Sequence, residues 1–544
     1  MNPSRRDELP ACPRQFGWRT WVLGTSWQLV PTTVILFPLI CSVCSAAEIS
    51  SNGLGGGVWS DPATWRGKKV PGPFDDVVIQ KLDVVTFDRN DDGKVSCQKV
   101  QIDPKGMLTF KTGVGKLVCC VADSIESFGA IKLDGTKSGG DHLELRMIGD
   151  NAEKRKVKLK KGAALLLYGK ANLPDDRRNV AVRSPKVADQ KEDVLSLIEA
   201  DGGVSIDWQR ASLHEIKLQA QKLDNTGAKA NERLNIIGNA FTGRARLWLH
   251  SCDTPMIAKN TFYYADKTPL TEGAIAVYFG PLAEIKHNTI RGAFVFGITV
   301  NYQSDSAVEG NTVEGCAAGI TGGYGIPSTM IKKNIIRGCE VGIRLEGASG
   351  VLEDNLVEGA MTAFQHENAS LQVANLQIKD LNAKGTGINF LSGKLTLLNC
   401  DIAPAQIKVA AQAATVKDDP IICQQYVVVG VKGAPADSLV DVRTNDPKLA
   451  ADVADPSVRN TPAPLTAGLT PLPRTLNPLI VKAWTIDPKG KLQPGVEYNV
   501  KVLGPAPKEG AARPVLKTMA FRPAENGFRA KLDDATPSLE VELK

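Results

Sequence analysis

The chain has no stretch with the apolar spacing of an amphipathic helix, and aromatic residues make up only 6% of it. A helical bundle is excluded by the first lack. Long apolar runs are also scarce. The longest, residues 29–43 (LVPTTVILFPLICSV), holds two prolines and is too short to span a bilayer. It follows Arg5, Arg6, Arg14 and Arg19 and precedes Ser45-Ala46-Ala47, the pattern of an export signal cleaved before Glu48. Residues 1–47 are therefore expected to be a signal peptide. The mature chain would be secreted or at the cell surface, with no integral membrane segment. Strong charge is lacking too. The formal net charge is +6, and without residues 1–47 it is about +4, too mild for a nucleic-acid partner. Eight cysteines lie beyond residue 47, with no CxxC or Cys/His spacing suited to zinc, and no metal site is expected.

What the chain does have is glycine, 50 in all, and a repeat. Between residues 234 and 400, asparagines recur at Asn239, Asn260, Asn288, Asn311, Asn334, Asn355, Asn375 and Asn399. Most sit in one phrase: GNAFTG, HNTIRG, GNTVEG, KNIIRG, DNLVEG. A short apolar run follows about ten residues later. A period near 22 residues is one supersecondary unit stacked on its neighbours. With short strands and glycine bends, the unit is one coil of parallel strands, and the stretch resembles the right-handed parallel β-helix family. The expected fold is all-β: a right-handed single-stranded parallel β-helix with a small C-terminal β-sandwich. The asparagines are read as a structural ladder at one bend per coil, tolerant of left-handed backbone angles. Ile290, Val313, Ile336 and Val357 should point inward. Cys316 and Cys339, each five residues past a ladder asparagine, should stack in adjacent coils as free thiols.

Further towards the N-terminus, Trp59, the SDPATW run ending at Trp65, Val70-Pro71, Asp75–Ile79 and Gly106-Met107-Leu108 resemble the eight-glycine (G-eight) domain. That module precedes or forms the first coils of extracellular β-helices, including fibrocystin and cell-migration-inducing hyaluronidases. The resemblance brings hyaluronan degradation into view, but none of those enzymes' catalytic positions maps onto this chain. Ile206-Asp207-Trp208 followed by Glu215-Ile216 extends the likeness, with Ser212-Leu213-His214 where Gly-Asp is usual. The expected divisions are 48–220 for this G-eight-like region, 221–416 for the repeats, 417–477 for a Pro-rich linker and 478–544 for the sandwich. Asp88, Asn90, Asp92 and Gly93 match half of a calcium loop, but the twelfth position is Lys99. The reading is a polar turn; no cofactor is expected, and calcium is the one candidate.

Side chains alternate along strands, so the outward positions carry any chemistry. With Leu247, Val277, Ile298, Ile320, Ile343, Phe364 and Ile388 inward, one outward column reads Trp248, Tyr278, Thr299, Thr321, Arg344, Gln365, Asn389. A second reads His250, Gly280, Asn301, Gly323, Glu346, Glu367, Leu391. Trp248, His250, Tyr278, Asn301, Gln365 and Asn389 are candidate carbohydrate contacts, since aromatic faces stack on sugar rings and amides match hydroxyls. Glu346, Glu367 and Arg344 are candidate catalytic groups. Two carboxylates one coil apart suit a retaining glycosidase, whereas a lyase needs a cation and base on one bond. The expected function is engagement of extracellular or cell-surface polysaccharide, with catalysis open. A polysaccharide-degrading hydrolase or lyase and a structural, adhesive solenoid are the alternatives.

Overall fold

The computed structural model describes residues 46–137, 141–149, 154–185, 196–222, 234–302, 305–410, 420–444, 463–475, 478–495, 497–523 and 536–543. The expected signal peptide, apart from Ala46 and Ala47, and residues 524–535 of the expected sandwich lie outside these residues.

From Asn239 to Asn355, each coil begins at the asparagine. A three-residue strand follows, with its middle residue inward: Phe262 in Thr261–Tyr263, Ile290 in Thr289–Arg291, then Val313, Ile336 and Val357, all fully buried. Strands of this kind stack in parallel into a first sheet, from Lys116–Val121 to Gln377–Lys379. A bend leads to the second sheet, built of strands such as Arg246–His250 and Ile275–Tyr278. A corner leads to the third, with Met256–Ala258 and Glu284–Lys286, which bury Ile257 and Ile285. Three aliphatic ladders thus converge on one core, and the result is a parallel β-solenoid of about 14 turns. Strand-to-strand hydrogen bonding sets the turn spacing at about 4.8 Å.

The solenoid starts early. Glu48–Ser50 and Gly56–Val58 pair in parallel with Asp76–Ile79 and Val84–Phe87, so residues 48–220 are its first coils. Trp59 and Trp65 fill the core there, ring centroids 5.1 Å apart, with the Trp65 indole N–H donating to the Trp59 carbonyl at 2.8 Å.

The asparagine bend differs from expectation in one respect. The left-handed residue is the one before the asparagine: Gly238, Lys259, His287, Gly310, Lys333 and Asp354 have φ between 55° and 66°. The asparagine itself is buried and hydrogen-bonded. From Asn239 to Asn334, each backbone N–H and each side-chain amide donates to the Oδ1 of the next asparagine at 2.9–3.1 Å. The ladder ends at Asn355. Leu356 pairs with Gln377, which places Leu376, not Asn375, in the ladder position. Asn375 and Asn399 take the left-handed slot instead, with φ of 55° and 52°. Asn375 donates to Asp354 at 2.8 Å, and Asn399 to Asn375 at 3.0 Å. The inward aliphatic, Ile378, then lies three residues past Asn375 instead of two.

The C-terminal part reaches further upstream than 478. Ile421–Val427 adds the last parallel rung against Gly393–Leu398 and also pairs antiparallel with Leu479–Ile486. Leu439–Thr444, within the stretch expected to be a linker, pairs antiparallel with Tyr498–Leu503, which pairs with Val515–Phe521. Val427, Val440, Tyr498, Val500 and Val502 form a second small core.

Candidate functional site

The outer face of the second sheet carries the expected columns, with one register corrected. Trp248 pairs with Ala276, and Ala276 with Thr299, while Tyr278 pairs with His250 and Asn301. Tyr278 therefore belongs to the second column, and Gly280 to neither. The insertion at 263–272 hid this, because it left two apolar residues, Ile275 and Val277, as equal counterparts to Leu247. The remaining positions stand as expected: Thr321, Arg344, Gln365 and Asn389 in one column, Gly323, Glu346 and Glu367 in the other.

Access divides the face. Ala276, Thr299 and Thr321 are buried, and the two threonine hydroxyls bond each other at 2.9 Å, so the first column is closed in its middle. The open part is an aromatic run. Trp248 stacks near His250 at 5.5 Å, and Tyr278 lies 6.1 Å from Trp248. His250 approaches Phe279 at 4.9 Å, and Phe279 stacks on Tyr302 at 4.3 Å with 6° between planes. Phe279 and Tyr302 are 48% and 44% exposed. Neither was singled out from the sequence, although they are 23 residues apart, one coil, and each directly follows a second-column residue. Both adopt left-handed φ, 54° and 55°, at the end of a strand, which turns their rings onto the corner between second and third sheets.

The inserted segment supplies a charge. Glu272 accepts from Arg246 at 2.9 Å and from Lys217 at 2.8 Å, and Arg246 is buried. Burial first, and then the Glu272 carboxylate, push the neighbouring Tyr278 hydroxyl above its ordinary pKa. Six coils of this face therefore run from a cation–carboxylate cluster, over the aromatic run, to the second charged group. There Arg344 lies 3.8 Å from Glu346, and Glu346 is in register with Glu367 one coil on. His366 points inward between Phe364 and Phe390.

Around the corner, the third sheet bears a groove of about 520 Å³ lined by Asn235, Met256, Leu282, Glu284, Lys286 and Met330, among others. On the first sheet, Glu144 is buried with His142 at 2.9 Å and Arg146 beside it. Burial opposes its ionisation, but hydrogen bonds from both partners and the charges of Arg146 and Arg183 outweigh this and hold the carboxyl at about 2.

The half calcium loop does not converge. Asp88 accepts from the Ser60 backbone and hydroxyl at 3.1 and 2.6 Å, while Asp92 faces Lys116 and Arg146. Their oxygens are turned to protein donors.

Residues 212–362 and 271–397 match the family described as periplasmic copper-binding protein (NosD). Together these stretches span about a third of the chain, and the match shows similarity of the solenoid repeats to that family. No curated protein and no solved structure matches the chain. Copper sites use imidazole and sulfur donors gathered within a few ångströms. Among the described residues, no three His, Cys, Asp or Glu side chains converge in that way. His142 and His214 are engaged with Glu144 and Thr242, both at 2.9 Å. The described residues do not fit a multi-ligand copper centre.

Proposed function

We propose that this protein binds an extended glycan along the outer face of the second sheet, across the corner at Phe279 and Tyr302. The observation that carries the reading is the aromatic run Trp248–His250–Tyr278–Phe279–Tyr302, contiguous over three coils and open where Phe279 and Tyr302 are nearly half exposed. Rings give large contact area at small entropic cost and complement the apolar faces of sugars. Asn301, Gln365 and Asn389 add amides along the same face. The likeness of residues 50–220 to the eight-glycine module and the family description of residues 212–397 both support a location outside the cytoplasm, where such glycans occur.

A second reading rests on Glu346 and Glu367. Carboxylates in register on neighbouring strands stand about 5 Å apart, the separation a retaining glycosidase uses. In this reading Arg344 orients Glu346.

One panel separates the two. The chain from Glu48 would be run against neutral and acidic polysaccharides, by affinity electrophoresis and by release of reducing ends. Binding without product, lost at least ~10-fold in Trp248→Ala and in Phe279→Ala/Tyr302→Ala, is the expected result. Reducing ends abolished by Glu346→Gln and by Glu367→Gln would establish the hydrolase. Retention on no polysaccharide of the panel would overturn the glycan reading.

A further inference from the structure

Cys316 and Cys339 stand in register in neighbouring coils. Glu314 pairs with Arg337 before them and Ala318 with Val341 after them, each 23 residues apart, as the cysteines are. Other cysteines face different residues: Cys97 lies across from Val121, Cys119 from Leu145, Cys120 from Arg146 and Cys423 from Leu397. The spacing of adjacent strands, about 4.8 Å, lies inside the Cα separation of roughly 4.4–6.8 Å that a disulfide bridges.

Both thiols are reduced here and 2% exposed. Each directly follows a left-handed glycine, Gly315 or Gly338, at a bend where nothing lies within 4 Å of an added Cβ. Both cysteines belong to the solenoid core beside this bend, so an oxidant reaches them through local opening of that turn. The Cys316 thiol points to the Gly292 carbonyl at 3.5 Å and the Cys339 thiol to the Arg337 carbonyl at 3.6 Å. The proximity of the two sulfurs pushes Cys316 above the ordinary thiol range and holds Cys339 below it.

We propose that Cys316 and Cys339 form a modification site, oxidised by a small or protein disulfide to a single bond that staples adjacent coils. One thiol of the pair, as its thiolate, attacks one sulfur of the oxidant and expels the other as a thiolate. Its partner then loses its proton to solvent and attacks the cysteine Sγ of that mixed disulfide, displacing the second oxidant thiolate. Two protein thiols give up two electrons and two protons, and the oxidant's disulfide takes up the electrons. The bond closes a loop of one coil, and by restricting the unfolded chain it raises the melting temperature.

The test is a peptide map of the full chain after incubation with oxidised glutathione, unfolding and alkylation. The expected result is one cross-linked peptide joining Cys316 to Cys339, with the other cysteines alkylated. Dithiothreitol should then lower the melting temperature of the oxidised chain and leave a Cys316→Ser/Cys339→Ser chain unmoved. Alkylation of both cysteines, stable glutathione adducts on them, or their pairing with other cysteines would overturn the proposal. If the double variant does not fold, the wild-type peptide map decides alone.

Discussion

Asn311 makes four hydrogen bonds with one side chain. Its Oδ1 accepts from the backbone and the amide of Asn288, and its Nδ2 donates to the Ile285 carbonyl and to Asn334. All of this is buried, so an alanine there leaves a backbone N–H and a carbonyl without partners, at roughly 1–3 kcal/mol each. Asn375 donates to Asp354 and accepts from Asn399 outside the ladder position. Asn311→Ala should therefore lower unfolding stability by about 3 kcal/mol and Asn375→Ala by about 1 kcal/mol, read from urea midpoints. Equal losses would mean the break after Asn355 has no energetic consequence. Glu144 gives a pH signature at the same scale. Its folded pKa is depressed to about 2, so its contribution is present above about pH 4.5 and is lost as pH falls towards 2. The contribution is on the order of 3 kcal/mol. Glu144→Gln should flatten the acid limb of a stability–pH curve across that window, a difference that urea midpoints at about pH 6 and about pH 3 would show.

Among elements, the first sheet holds an alternating row on its solvent side. Arg291, Glu314, Arg337 and Glu358 occupy one column, with contacts of 2.8, 3.6 and 2.9 Å between neighbours. The two arginines are exposed and the two glutamates half-buried, and Arg337 serves two carboxylates at once, so reversing it places three like charges side by side. Arg337→Glu should lower the denaturation midpoint in low salt, and the gap to wild type should shrink in about 1 M NaCl as screening shortens the range of the repulsion. A gap independent of salt would show that packing, not charge, holds this row. The same row illustrates what the repeat alone discloses: its residues follow the asparagines at fixed distance, so the column is readable from the chain. Its counterpart on the second sheet was not fully readable, because the segment 263–272 changes the count of residues within one coil.

For the whole molecule, the decisive junction is the strand Ile421–Val427. It closes the third sheet's last coil and at once opens the C-terminal sheet, so solenoid and C-terminal part share one strand. The antiparallel partner Leu479–Ile486 covers an edge that would otherwise offer free backbone donors and acceptors. A chain ended at residue 410 leaves the Gly393–Leu398 edge without its partner strand. Such a chain should elute as dimers or larger species in size-exclusion chromatography, while the full chain elutes as smaller particles.

The period of about 22 residues was sufficient for the β-helix, because a coil's length and its inward aliphatics are set locally and repeat. Ile290, Val313, Ile336 and Val357 follow from their distance to an asparagine, and so does the in-register placing of Cys316 with Cys339. The tertiary structure alone decided what depends on a neighbouring coil. Leu376, one residue past Asn375, took the ladder position because Gln377 pairs with Leu356. Tyr278 joined His250 because Ile275, not Val277, met Leu247. Phe279 and Tyr302 became a surface because left-handed angles at the corner swung two rings together. Lateral hydrogen bonding chooses among registers that differ by one or two residues, and a single chain read along its length does not contain that choice.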